Sequence, residues 1–182
     1  MPTLFLVRHG KAAAGFDSHV DPGLDALGRT QAIATATLLQ RHGPMAIYSS
    51  PLARARETAL PLIERWGAEI VIEPRVSEIP TPSSDLADRA SWLRNAMGGR
   101  WSALPADLQR WRRSLIDYLL AIKEDSIVFS HFIAINVAVG AARNDDRLVC
   151  FRPDNGSITR LSNADATLRV IELGRESDTL IG

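Results

Sequence analysis

The chain has 182 residues, of which 46% are hydrophobic and 23% are charged, and its 21 basic and 21 acidic residues give a formal net charge of zero. This length and composition are typical of one globular domain with a sizeable core, so we expect residues 1–182 to form a single domain. The charge balance argues against a general nucleic-acid or membrane-surface binder, because both classes need an excess of basic residues.

Strands and helices are predicted to alternate along most of the chain. Short apolar runs indicate strands buried on both faces of a sheet, and apolar residues three and four positions apart indicate helices that pack on it. In chain order, the predicted elements are a strand at 3–7, a helix at about 25–41, a strand at 45–48, a helix starting at Ser49-Ser50-Pro51 and ending near residue 66, a strand at 69–72, two helices within an insert at about 73–125, a strand at 126–129, a helix at 131–140, and two or three strands from residue 148 onward with a turn near 163–165.

This alternation predicts an α/β fold, namely a three-layer α/β/α sandwich with a mostly parallel central sheet. The insert at about 73–125 interrupts the rhythm and contains Trp92, Trp101 and Trp111 among several arginines. We expect these individual side chains to serve packing and solvation, and the helical insert as a whole to cover the site. Ligands of such sheets bind beyond the carboxyl ends of the strands, so the polar residues that follow the strands are candidates for function.

The polar residues that follow the predicted strands are rich in arginine and histidine. They are Arg8 and His9 after the first strand, Arg54 and Arg56 after the second, Glu78 after the third and His131 after the fourth. Arginine binds phosphate oxygens, neutral imidazole can attack phosphorus, and one carboxyl group can protonate a leaving alkoxide and then activate water. No acidic cluster or Cys/His spacing accompanies these residues, so we predict neither a metal site nor a cofactor. The set favours phosphoryl transfer through a covalent intermediate.

The same residues carry a resemblance to a known family. The sequence Leu6-Val7-Arg8-His9-Gly10 resembles the signature of the histidine phosphatase superfamily, also called phosphoglycerate-mutase-like. Residues 49–59 are similar to its second motif, residues 27–32 resemble the start of its first long helix, and Ser130-His131 resembles the segment of its second catalytic histidine. The resemblance runs from residue 4 to about residue 160 and points to the small bacterial-type phosphatase branch.

The resemblance implies a role for each matching residue. His9 would be the nucleophile that becomes phosphohistidine, and Glu78 would be the proton donor and later the base. Arg8, Arg54 and His131 would surround the phosphoryl group. For the carboxylate, the sequence alone leaves two rivals open, which are Glu73 and Asp85.

Further positions are candidates for substrate binding. Arg56 lies two positions after Arg54 and cannot fully share its helix face, so it is either a peripheral phosphate ligand or a salt-bridge partner. Phe132 stands where family members usually have glycine, and we expect it either to narrow the site or to alter the approach of the backbone to phosphate. Ser157 lies in a turn, Asn155-Gly156-Ser157, that resembles a segment approaching the site in relatives. His19 is expected at the surface, although its loop could edge the pocket.

The predicted activity is metal-independent hydrolysis of phosphomonoesters through phosphohistidine. Mutase members carry serine or threonine three positions after the nucleophile and asparagine three positions further on, whereas this chain has Ala12 and Gly15. Mutase-type transfer between hydroxyls of a phosphoglycerate remains an alternative, as does a catalytically weak phospholigand-binding protein. The expected substrate is a small phosphorylated metabolite, with phosphohistidine on a protein as the alternative.

The sequence also predicts where the protein works. No apolar run approaches the ~18 residues of a membrane span, and the N-terminal segment lacks the basic start and long apolar stretch of a signal peptide. Cys150 is the single cysteine, so no disulfide can form within the chain, and its apolar neighbours favour a buried structural thiol. We therefore expect a cytoplasmic protein that has no membrane partner.

Overall fold

A central sheet organises the computed structural model, which describes residues 1–178. Its strands are β1 (Thr3–Arg8), β2 (Ala46–Ser49), β3 (Ile70–Ile72), β4 (Ser126–Ser130), β5 (Ile158–Ala164) and β6 (Thr167–Glu172). They form one six-stranded sheet in the order β3-β2-β4-β1-β5-β6. The first four strands in this order run parallel, and β5 and β6 are antiparallel to their neighbours. The predicted α/β fold with a mostly parallel sheet is confirmed.

Helices connect the parallel strands, close to the predicted positions. They are α1 (Ala26–Leu39), α2 (Ala53–Trp66), α3 (Leu86–Met97), α4 (Ala106–Ala121) and α5 (Phe132–Arg143). The predicted start of α2 at Ser49-Ser50-Pro51 is wrong by a few residues, because Leu52 is the N-cap and the Ala53 amide donates to the Asp21 carboxylate over 2.8 Å. None of the helices within residues 1–178 is both long and apolar enough to cross a membrane.

Alternating residues of β1 and β4 explain the three layers. Phe5 and Val7 pack with α1 and α2 in one core cluster, together with Phe129. Leu4 and Leu6 point to the opposite face and pack with α4 and α5 in the other cluster. Because side chains alternate between the two faces of a strand, a continuous apolar run can bury both faces of the sheet.

The two helices of the insert have different positions. Leu115 and Leu119 of α4 are buried in the same core cluster as Leu4 and Leu6. Trp101 is also buried in this cluster, and its ring stacks on that of Trp111 at a centroid distance of 6.0 Å. The helix α4 therefore belongs to an outer layer of the sandwich. In contrast, α3 borders a cavity that it shares with the loop after β1. It is the part of the insert that lies beside the candidate site.

The strand register places the polar residues identified above at one edge. Arg8 at the end of β1 is level with Ser130 at the end of β4, and Ser49 at the end of β2 is level with Phe129. The residues that follow these three neighbouring strands therefore meet beyond the same edge of the sheet.

Candidate active site

The backbone at the end of β1 is held from two sides. The His9 amide donates to the carbonyl of Ser130 over 3.1 Å, which ties it to β4. On the other side, the Asn155 side chain donates to the His9 carbonyl over 3.0 Å, and the Gly156 amide donates to the Arg8 carbonyl over 2.9 Å. Gly156 has φ +71°, a left-handed conformation that glycine adopts without steric cost. The turn predicted to approach the site thus fixes the backbone of the predicted nucleophile.

A close backbone approach fixes the loop that follows His9. The Gly10 amide donates to the Thr58 hydroxyl of α2 over 2.9 Å. A Cβ atom on Gly28, in the first turn of α1, would overlap the carbonyl of Lys11. The glycine in the segment 27–32 is therefore required because helix and loop touch backbone to backbone.

The hydrogen bonds of His9 define its reactive nitrogen. Nδ1 lies 2.7 Å from the Gly10 carbonyl, which can only accept, so Nδ1 carries the imidazole proton. Nε2 then keeps its lone pair and accepts from Nε of Arg54 over 3.2 Å. Burial, reinforced by the charges of Arg54 and Arg8, holds the pKa of His9 well below its ordinary value. The imidazole is therefore neutral, and its unprotonated Nε2 carries the lone pair that the predicted nucleophile needs.

Two buried guanidinium groups flank this imidazole. Arg8 is fully buried, donates from Nη1 to the Pro153 carbonyl over 2.8 Å, and lies 5.1 Å from the ring centre of Phe132. Burial lowers the pKa of Arg8 to about 10, which still leaves it charged at neutral pH, and burial also lowers the pKa of Arg54. Such charges, held in a low-dielectric site, are suited to a phosphoryl group.

His131 faces His9 with the ring centroids 5.2 Å apart, and it is fully buried. Its Nε2 lies 2.7 Å from the hydroxyl of Ser50, whose oxygen also accepts from the Leu52 amide over 3.2 Å. When the Ser50 hydroxyl donates its hydrogen bond to Nε2, Nε2 is unprotonated and the imidazole proton resides on Nδ1. Nδ1 has no protein partner within residues 1–178, so it is free to donate to a phosphoryl oxygen. Burial, followed by the charge of Arg54, holds the pKa of His131 well below its ordinary value.

Removal of the Ser50 hydroxyl tests this arrangement. Ser50→Ala leaves Nε2 of His131 buried without a partner, so we expect kcat/KM to fall by about ten- to a hundredfold, equivalent to roughly 1–3 kcal/mol. Ser49→Ala is the matched control, because the Ser49 hydroxyl is also buried but donates to a backbone carbonyl over 2.9 Å. If Ser50 has only a structural role, Ser50→Ala should lose no more activity than Ser49→Ala, and the two variants should lose thermal stability to the same extent.

Glu78 enters the site from the loop after β3. The Ser130 hydroxyl donates to the Val76 carbonyl over 2.6 Å, which ties this loop to the end of β4. The Glu78 carboxyl is buried and accepts from the amides of Ile79 over 2.9 Å and Ile133 over 3.4 Å. Burial raises the pKa of Glu78 above its ordinary value, and outweighs these amides and the nearby guanidinium groups, which act in the opposite direction. A carboxyl group that stays protonated at higher pH is suited to donate a proton.

Other candidates lie outside this cluster. Arg56 is exposed on α2. The side chain of Ser157 lies beside Gly174, and its carbonyl accepts from the Arg8 amide over 3.1 Å. His19 is exposed in the loop after β1. The two rival carboxylates have other partners. Glu73 pairs with Arg75 over 2.6 Å, and Asp85 is the N-cap of α3.

Four residues of the cluster were not singled out in the sequence as site residues. Ser50 contacts Nε2 of His131, and Thr58 accepts from the Gly10 amide. Ser130 donates to the loop that carries Glu78, and Asn155 donates to the His9 carbonyl. Ser50 and Thr58 do lie within the second motif, so their place in it was the available signal.

Cys150 is half-buried beside Asn136, where burial raises the pKa of its thiol. In residues 1–178, no three His, Cys, Asp or Glu side chains are grouped so that they could hold a metal ion.

The sequence that forms this site also matches a family model over nearly the whole of the chain. The model of the histidine phosphatase superfamily (branch 1) matches residues 4–175. The chain belongs to the histidine phosphatase superfamily. The residues just described occupy the strand ends where the sequence carries the superfamily's motifs.

Relatives of this superfamily member include both phosphatases and a mutase. A glucosyl-3-phosphoglycerate phosphatase from Mycobacterium tuberculosis is 30% identical over 167 residues, which cover 88% of this chain and 74% of that protein. A probable phosphoglycerate mutase from Erwinia tasmaniensis is 27% identical over 187 residues, covering 90% of this chain and 86% of its own. The structure of a phosphoserine phosphatase from Entamoeba histolytica with 3-phosphoglyceric acid superposes with a TM-score of 0.77 at 20% identity, covering 99% of this chain and 100% of the other.

Proposed function

We propose that this histidine phosphatase superfamily member is a phosphomonoesterase, with His9 as nucleophile and Glu78 as general acid and then base. The observation that carries the proposal is the state of His9, a buried neutral imidazole whose Nδ1 is fixed by the Gly10 carbonyl. Its Nε2 lone pair faces Arg54. The lone pair of Nε2 can attack phosphorus, and the adjacent Arg54 guanidinium can bind the negatively charged oxygens of the phosphoryl group.

The proposed reaction proceeds in two steps. Nε2 of His9 attacks phosphorus while Glu78 gives its proton to the leaving alcohol oxygen, so a P–N bond forms and the P–O ester bond breaks. Arg8, Arg54 and Nδ1–H of His131 bind the other phosphoryl oxygens. The Glu78 carboxylate then takes a proton from water as the water oxygen attacks phosphorus, so a P–O bond forms, the P–N bond to His9 breaks, and phosphate and free His9 are released. One carboxyl group serves both steps because its proton is lost in the first and regained in the second.

The proposed substrate is a small phosphorylated metabolite. The cavity beside the cluster has a volume of about 600 Å³, within the range of pockets that enclose small ligands. The buried position of His9, which is 1% exposed, supports a small ester over a phosphohistidine on a folded protein. The single domain and the cytoplasmic location predicted from the sequence remain part of this proposal.

Mutase-type transfer is the second candidate, because a probable mutase is among the relatives. Ala12 and Gly15 line the cavity at the positions where mutase members carry polar residues. This favours hydrolysis, since these two positions offer a phosphoglycerate no polar side chain. Incubation with 3-phosphoglycerate separates the reactions, because hydrolysis releases inorganic phosphate whereas a mutase yields the isomer. Binding without either product would indicate a phospholigand-binding protein.

An assay on p-nitrophenyl phosphate tests the proposal. We expect turnover that survives EDTA and that vanadate, an oxyanion mimic of the transferred phosphoryl group, inhibits competitively. Anion binding should raise the melting temperature of the wild type, and less so that of Arg54→Met. Activity that is lost with EDTA and restored by a divalent metal would overturn the proposed mechanism.

A further inference from the structure

A cavity of about 600 Å³ lies between the loop after β1 and helix α3. Most of its wall is apolar, formed by Ala12, Ala14, Phe16, Ala90, Leu93 and Met97. The cluster described above uses none of these side chains.

The cavity adjoins the candidate active site. The loop on one wall follows directly from His9 and Gly10. On the inner wall, Asn155 borders the cavity and also donates to the His9 carbonyl, and the neighbouring Pro153 accepts from Arg8. We infer that an alcohol group attached to a phosphoryl group at His9 would extend toward this space.

Charged residues at the cavity carry both signs, and two of the three cations that line it have a carboxylate within 4 Å, whereas Arg94 contacts the Ser91 hydroxyl over 3.3 Å. Lys11 pairs with Asp25 over 3.3 Å, and Arg152 lies 3.9 Å from Asp178. Because most of the cavity surface is nevertheless apolar, the apolar side chains provide most of the contact area for what enters. Transfer of apolar groups from water to such walls is favourable in proportion to the area buried.

We propose that this cavity binds the alcohol part of the substrate, and that the preferred substrates are phosphate monoesters of bulky, largely apolar alcohols. The inference rests on the proposed phosphatase function and specifies its substrate class. A three-carbon acid such as glycerate would leave most of the space empty. The cavity therefore favours an aliphatic or aromatic alcohol over the small polar ones.

The test is a series of straight-chain alkyl phosphates from ethyl to octyl. Their alcohols have nearly the same acidity, so the proton needed from Glu78 is constant and only the buried apolar area changes. We expect kcat/KM to rise by up to about fourfold per methylene, which corresponds to ~0.8 kcal/mol each. Hexyl phosphate should also exceed 3-phosphoglycerate and phosphoserine by at least about tenfold.

Two alanines of α3 provide a matched pair of variants. Ala90 is buried and lines the cavity, whereas Ala87 is exposed one turn earlier. Ala90→Leu fills the cavity, so the ratio of kcat/KM for hexyl to ethyl phosphate should fall by about tenfold or more, while Ala87→Leu should retain the wild-type ratio. Met97→Glu, at a partly buried position of the same wall, should lower this ratio as well, and Met97→Leu should keep it.

The outcomes separate the inference from the proposed function. Turnover of p-nitrophenyl phosphate together with a flat alkyl series, or with a preference for 3-phosphoglycerate, would overturn the apolar substrate class and leave the phosphatase standing. No phosphate release from any ester by the wild type would overturn the phosphatase itself. If Ala90→Leu does not fold, the wild-type series and the Met97 pair still decide the inference.

Discussion

His9→Ala should lower kcat/KM for p-nitrophenyl phosphate by roughly four to six orders of magnitude, the range seen when a catalytic nucleophile is removed. The loss is this large because Nε2 of His9 is the atom that would form the covalent bond, and the hydrogen bond from Nδ1 to Gly10 leaves it unprotonated. His131 is also a neutral imidazole, but its Nε2 is bound to Ser50, so it cannot take over the role.

The covalent intermediate gives a second readout of the same variant. Wild-type protein mixed with radiolabelled substrate and quenched within milliseconds should carry acid-labile, base-stable phosphate, and His9→Ala should carry none. His19→Ala is the control, because His19 is exposed in the loop after β1 and lies outside the cluster. Turnover of His9→Ala near the wild-type rate, or label on that variant, would contradict the mechanism.

Glu78→Gln should reduce hydrolysis of alkyl phosphates by about 10²- to 10⁴-fold, the typical contribution of a general acid. The loss on p-nitrophenyl phosphate should be much smaller in a single-turnover measurement of phosphoenzyme formation, because nitrophenolate leaves without a proton. Glu73→Gln is the matched control, since Glu73 lies in the same connection but pairs with Arg75. Equal losses on the two esters would show that Glu78 does not protonate the leaving group.

The pH dependence follows from the raised pKa of Glu78. Because burial raises this pKa, the acid stays protonated above its ordinary range, and kcat/KM for alkyl phosphates should fall as pH rises through the raised value. The acid limb should lie well below the ordinary histidine pKa, because burial lowers the pKa of His9 and keeps it neutral. Glu78→Gln should lose the alkaline limb. The free energy of unfolding of Glu78→Gln, relative to that of the wild type, should also increase as pH rises from the ordinary pKa of glutamate through the raised pKa. In this range the folded wild type must bury a charged carboxylate, which the variant lacks.

The motif residues at the strand ends show how far the sequence reaches. Arg8, His9 and His131 follow short apolar runs that predict buried strands, and parallel neighbouring strands bring their carboxyl ends to one edge. Arg54 follows by the same reasoning, because the helix after β2 starts at that edge. The pattern of apolar residues therefore predicted both the fold and the meeting of these four side chains.

The choice among carboxylates required the folded chain. Glu73, Glu78 and Asp85 lie within one irregular segment, where no periodicity indicates which side chain turns inward. The Ser130 hydroxyl, which is distant in sequence, ties down the Val76 carbonyl and so brings Glu78 under the N-terminus of α5. Glu73 and Asp85 instead satisfy local amide donors.

By itself the sequence determined the mostly parallel sheet, the polar residues that follow each of its strands and the chemical type of the cluster. These properties follow from local patterns of apolar and polar residues. Only the tertiary structure decided the protonation of the two histidines, the inward turn of Glu78, the support from Ser50 and Asn155, and the apolar cavity beside α3. The physical reason is that burial and hydrogen bonding between residues distant in the chain set these properties. Such contacts exist only once the sheet has brought its strand ends together.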